Sequence, residues 1–441
     1  MSDPSRRAPH RTLAIAGAAA AALALVLSAC SGPSGDTSGP VELTWFQGSG
    51  VQANLDTAKA LADAFMAKNP DIKIIQDASG PSDSQIDSVT KTRLATGEMA
   101  DMFWYNSGSL FLATNPDQTM LNIKDEPFVK NLNESFVQTV STDKGVYGVP
   151  VQSAGAGGFF YNIKVYQQLG LQVPKTWAEF LANCEKIKAA GIVPVEQTYG
   201  DPFSSQIVTL GDFHNVLNSD PDWATKWTTN KVKFVTDPIG LKSFTKLQDL
   251  RDGGYLNEDF ASARLDDGLK AVATGTAAHY PMLAFAVATI VANYPDQAED
   301  VGFFGVPGDD PNYAGATAWS PSALYAPANT KHPEAVKKFM AFVASTEGCD
   351  VITATLGVTG PYMVNGCKLP DTAPKTIANM LPYFDNGLTK PALEFLSPVK
   401  GPSLDRLMVE VGSGIRDGKS AAQAYDEDSA TQAQQLGLPG W

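Results

Sequence analysis

The 441-residue sequence has few of the side chains on which enzymes and nucleic-acid-binding proteins depend. It contains four histidines and four cysteines, with no His-Glu-x-x-His and no Cys-x-x-Cys motif, so local spacing predicts neither a metal site nor a cofactor. Its 33 Lys and Arg are outnumbered by 47 Asp and Glu, and they form no dense basic stripe. Nucleic acid is therefore not an expected partner.

Catalytic motifs are equally scarce. The string GSGIRDGKS is similar to a phosphate-binding loop, but Gly414 and Gly418 enclose three residues where that loop requires four. A pair of carboxylates suited to glycoside hydrolysis depends on three-dimensional separation, so an extracellular hydrolase stays open as an alternative. The main expectation is a protein that is not an enzyme and has no catalytic residues.

Long apolar runs are absent except near the N-terminus. Arg6, Arg7 and Arg11 precede an almost uncharged run over residues 12–29, which ends in Leu-Ser-Ala before Cys30. This pattern is typical of a bacterial lipoprotein signal peptide over residues 1–29, with Cys30 acylated, for example by palmitate. An uncleaved transmembrane anchor is the alternative, but the run is mostly Ala, and ~20 strongly apolar residues are needed to span a bilayer. Both interpretations place the rest at the extracellular face of the cell membrane.

The segment 30–40 is rich in Ser, Gly and Pro, which predicts a flexible tether. The remaining chain is longer than one hydrophobic core usually serves, so two lobes are expected. In an oxidising compartment, a disulfide between Cys349 and Cys367 is expected, whereas Cys184 lies on an apolar helical face and is predicted to be a buried thiol.

Hydrophobic periodicity predicts an α/β protein. Alternation from Val41 indicates a strand, an apolar stripe through Phe65 indicates a helix that ends before Asn69-Pro70, and Ile72 begins a second strand. This order predicts a βαβ crossover and a largely parallel sheet. Further predicted elements are helices over residues 176–190 and 403–411, a helix starting at Pro333, and strands at 145–150 and 301–307.

Four segments, taken in order, resemble the family 1 extracellular solute-binding proteins of ABC importers, which are maltose-binding-protein-like. They read AFMAKNPDIKI, LATGEMADMFWYN, GVYGVPVQSAGAGGFFYNIKVYQQLGLQVPKTWAEF and SALYAPANTKHPEAVKKFMAFVAS. The second segment keeps Gly97 and Asp101 but has Ala100 where the family usually has Pro. The resemblance runs from about Val41 to the C-terminus.

The resemblance implies two α/β lobes joined by a hinge, with the ligand in the cleft between them. Lobe 1 is predicted over residues 41–152 and 301–326, and lobe 2 over 153–300 and 330–441. The expected ligand is a carbohydrate, and the expected partners are the permease subunits of an ABC importer. The membrane is contacted only through the lipid, and a monomer is expected.

Ligand-binding candidates are aromatic and polar residues that follow strands, since sugars offer apolar ring faces and many hydroxyls. Core packing is the alternative for the strand-end tryptophans, and a solvated turn is the alternative for the loop after residue 195. Trp177, in the first turn of its helix, is interpreted as structural. The candidates are Trp45, Gln47, Ser49, Trp104, Tyr105, Asn106, Asp201, Phe203, Phe285 and Trp319.

Two departures from the family pattern argue against a long maltodextrin. The chain reads YPMLAF where relatives often have Gly-x-Trp, and residues 404–406 carry no tryptophan where maltose-binding protein has a stacking one. A smaller sugar stays open, as does a polyamine, an amino compound or a metal complex on the same fold.

Overall fold

The computed structural model describes residues 39–81 and 85–441. The predicted signal peptide, Cys30 and most of the predicted tether lie outside the described residues. Pro40–Trp441 forms one compact unit, which contains both lobes discussed below.

Strands alternate with helices along the chain, as the periodicity predicts. The strands are β1 (Val41–Gly48), β2 (Ile72–Gly80), β3 (Met102–Tyr105), β4 (Val149–Pro150), β5 (Gly155–Asn162), β6 (Val193–Val195), β7 (Ala277–Leu283), β8 (Val301–Gly305), β9 (Ala316–Trp319), β10 (Ala323–Tyr325) and β11 (Thr389–Pro391).

The α-helices range from single turns to eighteen residues. They are α1 (Gln52–Lys68), α2 (Gln85–Thr96), α3 (Ser109–Leu112), α4 (Pro116–Thr119), α5 (Glu134–Val137), α6 (Ile163–Gln168), α7 (Trp177–Ala189), α8 (Ile207–Gly211), α9 (Phe213–Ser219), α10 (Trp223–Thr228), α11 (Pro238–Asp252), α12 (Leu265–Thr274), α13 (Val287–Asn293), α14 (Pro333–Val343), α15 (Thr346–Leu356), α16 (Lys375–Asp385), α17 (Leu393–Leu396), α18 (Leu404–Gly412) and α19 (Gly418–Gln435).

Local sequence signals account for several element boundaries. The α7 helix begins after Thr176, whose hydroxyl accepts from the Glu179 backbone N–H while the Glu179 carboxylate accepts from the Thr176 N–H. Trp177 is buried directly after this cap, and its indole N–H donates to Asp249 at 2.9 Å, as a structural residue should. Pro333 occupies the first turn of α14, where its missing N–H leaves no bond unmade.

The first sheet has the order β2-β1-β3-β10-β4. Strands β1, β2 and β3 are parallel, which confirms the βαβ crossover, and β10 is antiparallel to both of its neighbours. One apolar core covers this sheet, with Trp45 and Phe65 packing edge-on against Phe339 of α14.

The second sheet has the order β11-β9-β5-β7-β6, and β8 also pairs with β5. Its central strand β5 is antiparallel to β7, β8 and β9, so this sheet is not largely parallel as predicted. Alternation along β5 places Phe159 in one apolar core and Phe160 in another. The second lobe is therefore a sheet between two helical layers.

The two sheets divide the segment 301–326 between them. Strands β8 and β9 belong to the second sheet, where Phe303 and Phe304 lie opposite Phe160 and Phe159, whereas only β10 of the segment 301–326 joins the first sheet. Helices α14 and α15 pack against α1 in the first core instead of the second lobe. Hydrophobic periodicity identifies these strands and helices, but it does not reveal in which of the two lobes each one packs.

The cysteines divide between the lobes. Cys349 and Cys367 form a disulfide in the first lobe, with their Cα atoms 6.2 Å apart and 18 residues of sequence separation. Cys184 is a free thiol buried in the second lobe, and burial raises its pKa well above the ordinary value. Among the described residues no single helix is long and apolar enough to cross a membrane; α14 and α15 pass that test only as a pair bent by 68°.

Candidate functional site

Two adjoining cavities open beyond the carboxyl ends of the first sheet's strands. The larger, about 480 Å³, is called the Trp319 cavity, and the smaller, about 280 Å³, is called the Gln47 cavity. Asn106 and Ser322 line both, so the cavities meet there. In open α/β sheets this end of the strands is the usual position of a ligand.

The Trp319 cavity takes residues from both lobes and from the segment that crosses between them. The first lobe contributes the residues after β3, and the crossing segment contributes Ser320 and Ser322. The second lobe contributes Trp319 at the end of β9, the α17 region and α19. The lining residues are Asn106, Ser107, Ser109, Leu110, Trp319, Ser320, Ser322, Glu394, Phe395, Ser397, Pro398, Lys400 and Gln432.

The Trp319 ring is fixed at its edge and at one face. Its indole N–H donates to Glu394 Oε1 at 2.9 Å. A Cβ on Gly157 would lie 2.5 Å from the ring's Cζ3, so the ring packs on the bare backbone of β5. A half-buried, pre-oriented indole is suited to stacking against an apolar ligand face at little entropic cost.

The charges that line the Trp319 cavity cancel. Glu394 Oε2 accepts from Lys400 Nζ, and no other lining residue is an Asp, Glu, Lys or Arg. The Lys400 backbone N–H donates to the Gln432 side chain at 2.6 Å, which fixes the segment that carries the lysine. The cavity therefore offers a polar but electrically neutral surface.

The two lobes touch directly beside this cavity. Gly108 has φ +71°, and a Cβ there would lie 2.6 Å from the Cα of Phe395. The Ser109 hydroxyl donates to the backbone carbonyl of Glu394 at 2.5 Å. Glycine at position 108 is thus required both by its backbone conformation and by the approach of α17.

The Gln47 cavity lies between the end of β1 and the start of α1. Its lining has no charged residue, and Asn54 Oδ1 already accepts from Gln152 Nε2 at 2.9 Å. The Tyr105 hydroxyl donates to Asp87, and burial followed by this hydrogen bond raises the pKa of Tyr105. The lining residues are Gln47, Gly48, Gly50, Val51, Asn54, Pro81, Ile86, Trp104, Tyr105, Asn106 and Ser322.

Five of the predicted binding residues line these cavities: Gln47, Trp104, Tyr105, Asn106 and Trp319. Trp45 lines neither cavity. It is fully buried in the first core, with its ring centroid 6.1 Å from that of Trp104. Ser49 is exposed outside both linings, where its hydroxyl donates to Gly80 O.

The second-lobe candidates lie apart from these cavities, and their contact with a ligand stays a prediction. Asp201, Phe203 and Phe285 lie outside both cavities. Asp201 Oδ2 accepts from the Leu265 N–H at 2.8 Å, so its carboxylate satisfies the first turn of α12. Phe203 and Phe285 pack against each other with their ring centroids 6.4 Å apart, and Phe285 is 52% exposed.

Sequence reasoning missed the residues that α17 and the following loop provide. Glu394 and Lys400 stand close to the predicted position 404–406 but not at it, and no motif marks them. Glu394 is recognisable only by its hydrogen bond to the Trp319 indole, 75 residues away in sequence, and a single sequence does not reveal that contact. No group of three or more His, Cys, Asp or Glu side chains able to hold a metal occurs within residues 39–81 and 85–441.

Two lobes around a neutral cleft with a fixed aromatic face define a binding protein for a small solute. The chain belongs to the bacterial extracellular solute-binding protein family, whose profile matches residues 49–348. Members of this family are non-enzymatic components of ABC transporters.

Relatives of known sequence and structure agree with this assignment. The chain is 24% identical over 342 residues to the multiple sugar-binding protein of Streptococcus mutans, covering 75% of this chain and 77% of the relative. It is similar in fold to ligand-free RafE of Streptococcus pneumoniae, with a TM-score of 0.76 and 21% identity over 90% of this chain and 98% of that one. RafE in complex with raffinose gives a TM-score of 0.70 at 20% identity, covering 88% and 98% of the two chains.

Proposed function

We propose that this protein captures a neutral carbohydrate in the Trp319 cavity and delivers it to an ABC importer, held at the extracellular face of the membrane by a lipid on Cys30. The observation that carries the ligand class is the fixed indole beside a self-neutralised ion pair. An aromatic face with hydroxyls and amides around it suits a sugar ring. The sugar-binding names of the relatives, including the raffinose complex, support the same class.

The charge arrangement favours a neutral sugar over the cationic alternatives. A polyamine needs carboxylates left free to pair with its ammonium groups. Glu394 is already paired with Lys400 and also accepts from Trp319. A cation would have to displace the lysine, and the freed ammonium would then repel it.

A thermal-shift screen tests the ligand class. The purified full chain is heated with mono-, di- and oligosaccharides, polyamines and amino acids, and a ligand that binds only the folded state raises the melting temperature. We expect a shift with at least one neutral saccharide. A shift with polyamines and none with any saccharide would contradict the proposal.

Substitutions then locate the site. Trp319→Ala removes the ring face, and a loss of about 2 kcal/mol, roughly thirtyfold in affinity, is expected in titration calorimetry. Phe203→Ala is the matched aromatic control, because Phe203 lies outside both cavities, and its affinity should equal wild type. The reverse result would move the site to the second-lobe surface.

The lipid anchor is tested separately. Cys30→Ala removes the thiol that would be acylated, so the variant should remain an unprocessed precursor. Metabolic labelling with a palmitate analogue measures this, with Cys184→Ala as the control that keeps the label. Normal labelling of Cys30→Ala would contradict the anchor without touching the ligand proposal.

A further inference from the structure

The Gln47 side chain is buried without any partner. It is 2% exposed, and neither its Nε2 nor its Oε1 has a hydrogen-bond partner. A buried amide in this state opposes folding, since its hydration has been lost without replacement. Gln47 lines an open cavity, so the missing partner can come from a molecule that enters it.

The position of Gln47 is built by the parallel part of the first sheet. It is at the end of β1, between β2 and β3, where it continues the strand face of Leu43 and Trp45. The α1 helix starts beside it without a side-chain cap at Val51 and without an acidic residue in its first turn. An uncapped helix start favours oxygen acceptors, and the orphaned amide adds an NH2 donor group and an acceptor oxygen.

The rest of the Gln47 cavity selects against charge. Val51, Pro81 and Ile86 form apolar walls, and no Asp, Glu, Lys or Arg lines it. A ligand group that fits must be uncharged and must donate and accept at adjacent positions. Neighbouring hydroxyls on a sugar ring meet this requirement, one donating to Gln47 Oε1 and the other accepting from Nε2.

Asn106 and Ser322 belong to both cavities, so a group in the Gln47 cavity is continuous with one beside Trp319. We infer that the Gln47 cavity is a second sugar subsite, and that the ligand is a neutral saccharide of two or more residues whose second residue bonds to Gln47. This inference rests on the proposed function, because it assumes that the first residue stacks on Trp319.

The test uses two saccharide ladders and an isosteric variant. Calorimetry on the full chain compares galactose, melibiose, raffinose and stachyose, and separately glucose, maltose and maltotriose. Wild type should bind a disaccharide or longer member at least tenfold more tightly than the monosaccharide. Gln47→Met keeps the side-chain length but removes both polar atoms. The affinity of this variant for the longer saccharides should therefore fall roughly tenfold to hundredfold, and its affinity for the monosaccharide should be unchanged.

Gln197→Met is the matched control. Gln197 is also fully buried with both amide atoms unpartnered, but it follows β6 in the second lobe and lines neither cavity. The Gln197→Met variant should bind every saccharide with the same affinity as wild type. The Gln47→Met protein without ligand should melt at or above the wild-type temperature, since an unpaired buried amide has been removed.

Any other outcome of these experiments overturns the inference. Equal wild-type affinity for monosaccharide and longer saccharides, or full affinity in Gln47→Met, would mean that no second subsite uses this amide. Equal loss for every length would place Gln47 in the first subsite. A Gln47→Met protein that melts well below wild type would give the amide a structural role, whereas the absence of binding to any saccharide would instead overturn the proposed function.

Discussion

The two lobes bury different kinds of polar group. Among the described residues, the core of the first lobe buries hydroxyls and the Gln47 amide but no ionisable Asp, Glu, Lys or His. The second lobe buries ionisable groups in several places. They are Glu196, Asp212, His214, Lys246, His279 and Asp426.

The two lobes are therefore stabilised by different kinds of interaction. The first lobe combines one apolar core with the Cys349–Cys367 disulfide, and neither depends on protonation near neutral pH. The second lobe contains Lys246, whose ammonium donates to Asp212 and to Pro307 O at 2.6 Å and lies 5.1 Å from the Trp177 ring centre. Stability of the second lobe should therefore respond to charge changes and pH, while that of the first lobe should not.

The largest effect is expected from breaking the buried ion pair. Lys246→Met leaves Asp212 buried without its cation, which typically costs about 3–5 kcal/mol. Denaturant unfolding measures this cost. Lys59→Met is the control, since Lys59 and Asp63 are 66% and 54% exposed and their pairing is worth at most about 1 kcal/mol. Equal costs for the two variants would contradict the contrast between the lobes.

A somewhat smaller effect is expected from removing the disulfide. The double change Cys349→Ser with Cys367→Ser should lower the free energy of unfolding by about 3 kcal/mol, because the reduced chain regains loop entropy when unfolded. Hydrogen exchange should accelerate in α15, which carries Cys349, and stay unchanged in α11 of the second lobe. Reductant should reproduce the effect in wild type and do nothing further to the variant; acceleration in both lobes would break the comparison.

The smallest effect is the pH response of Glu196. Burial, with the nearby charges of Asp259 and Asp267, raises the pKa of Glu196 from 4.5 to about 8. The folded protein then holds a proton that the unfolded chain releases, so stability falls as pH rises from about 4.5 to about 8, by at most about 1.4 kcal/mol per pH unit. Glu196→Gln keeps an oxygen to accept from Asn257 Nδ2 but removes the titration.

The Glu196→Gln variant should therefore show a flatter stability curve than wild type over this range. Melting temperatures at several pH values measure it, and identical slopes would contradict the assigned protonation. The buried histidines act in the opposite direction at acid pH. Burial lowers the pKa of His214 to about 4 and that of His279 to about 3, so their contribution is lost as pH falls below about 6.5.

Local patterns predicted the elements well, because their signals lie within a few residues of one another. The capping box at Thr176, the proline at the start of α14 and the alternation in β1 are of this kind. Part of the site follows from the same logic, since Gln47, Tyr105 and Asn106 come at the ends of parallel strands. Strand alternation alone could not separate Gln47 from Trp45, which lies on the same face but beneath α14.

The remaining residues of the site are positioned by contacts between segments that are far apart in sequence. Glu394 and Lys400 reach the cleft only because the chain returns to the second lobe after α15. The segment from β8 to α14 begins in the second sheet and ends in the first lobe, and no local pattern marks that crossing. Asp201 shows the same difficulty, because an acidic residue before Pro and Phe looks the same in a binding loop as it does when it accepts from the first turn of a neighbouring helix.

The insertion of β10 between β3 and β4 has a consequence for biosynthesis. The first sheet has its two outer parts within the first 150 residues, yet the strand that joins them ends at Tyr325 and the helix that covers Trp45 ends at Val343. A nascent chain shorter than this exposes β3 and β4 as open edges and leaves Trp45 without the helix that covers it. The first lobe is thus completed only after most of the second lobe has been synthesised, and the two must mature together rather than one after the other.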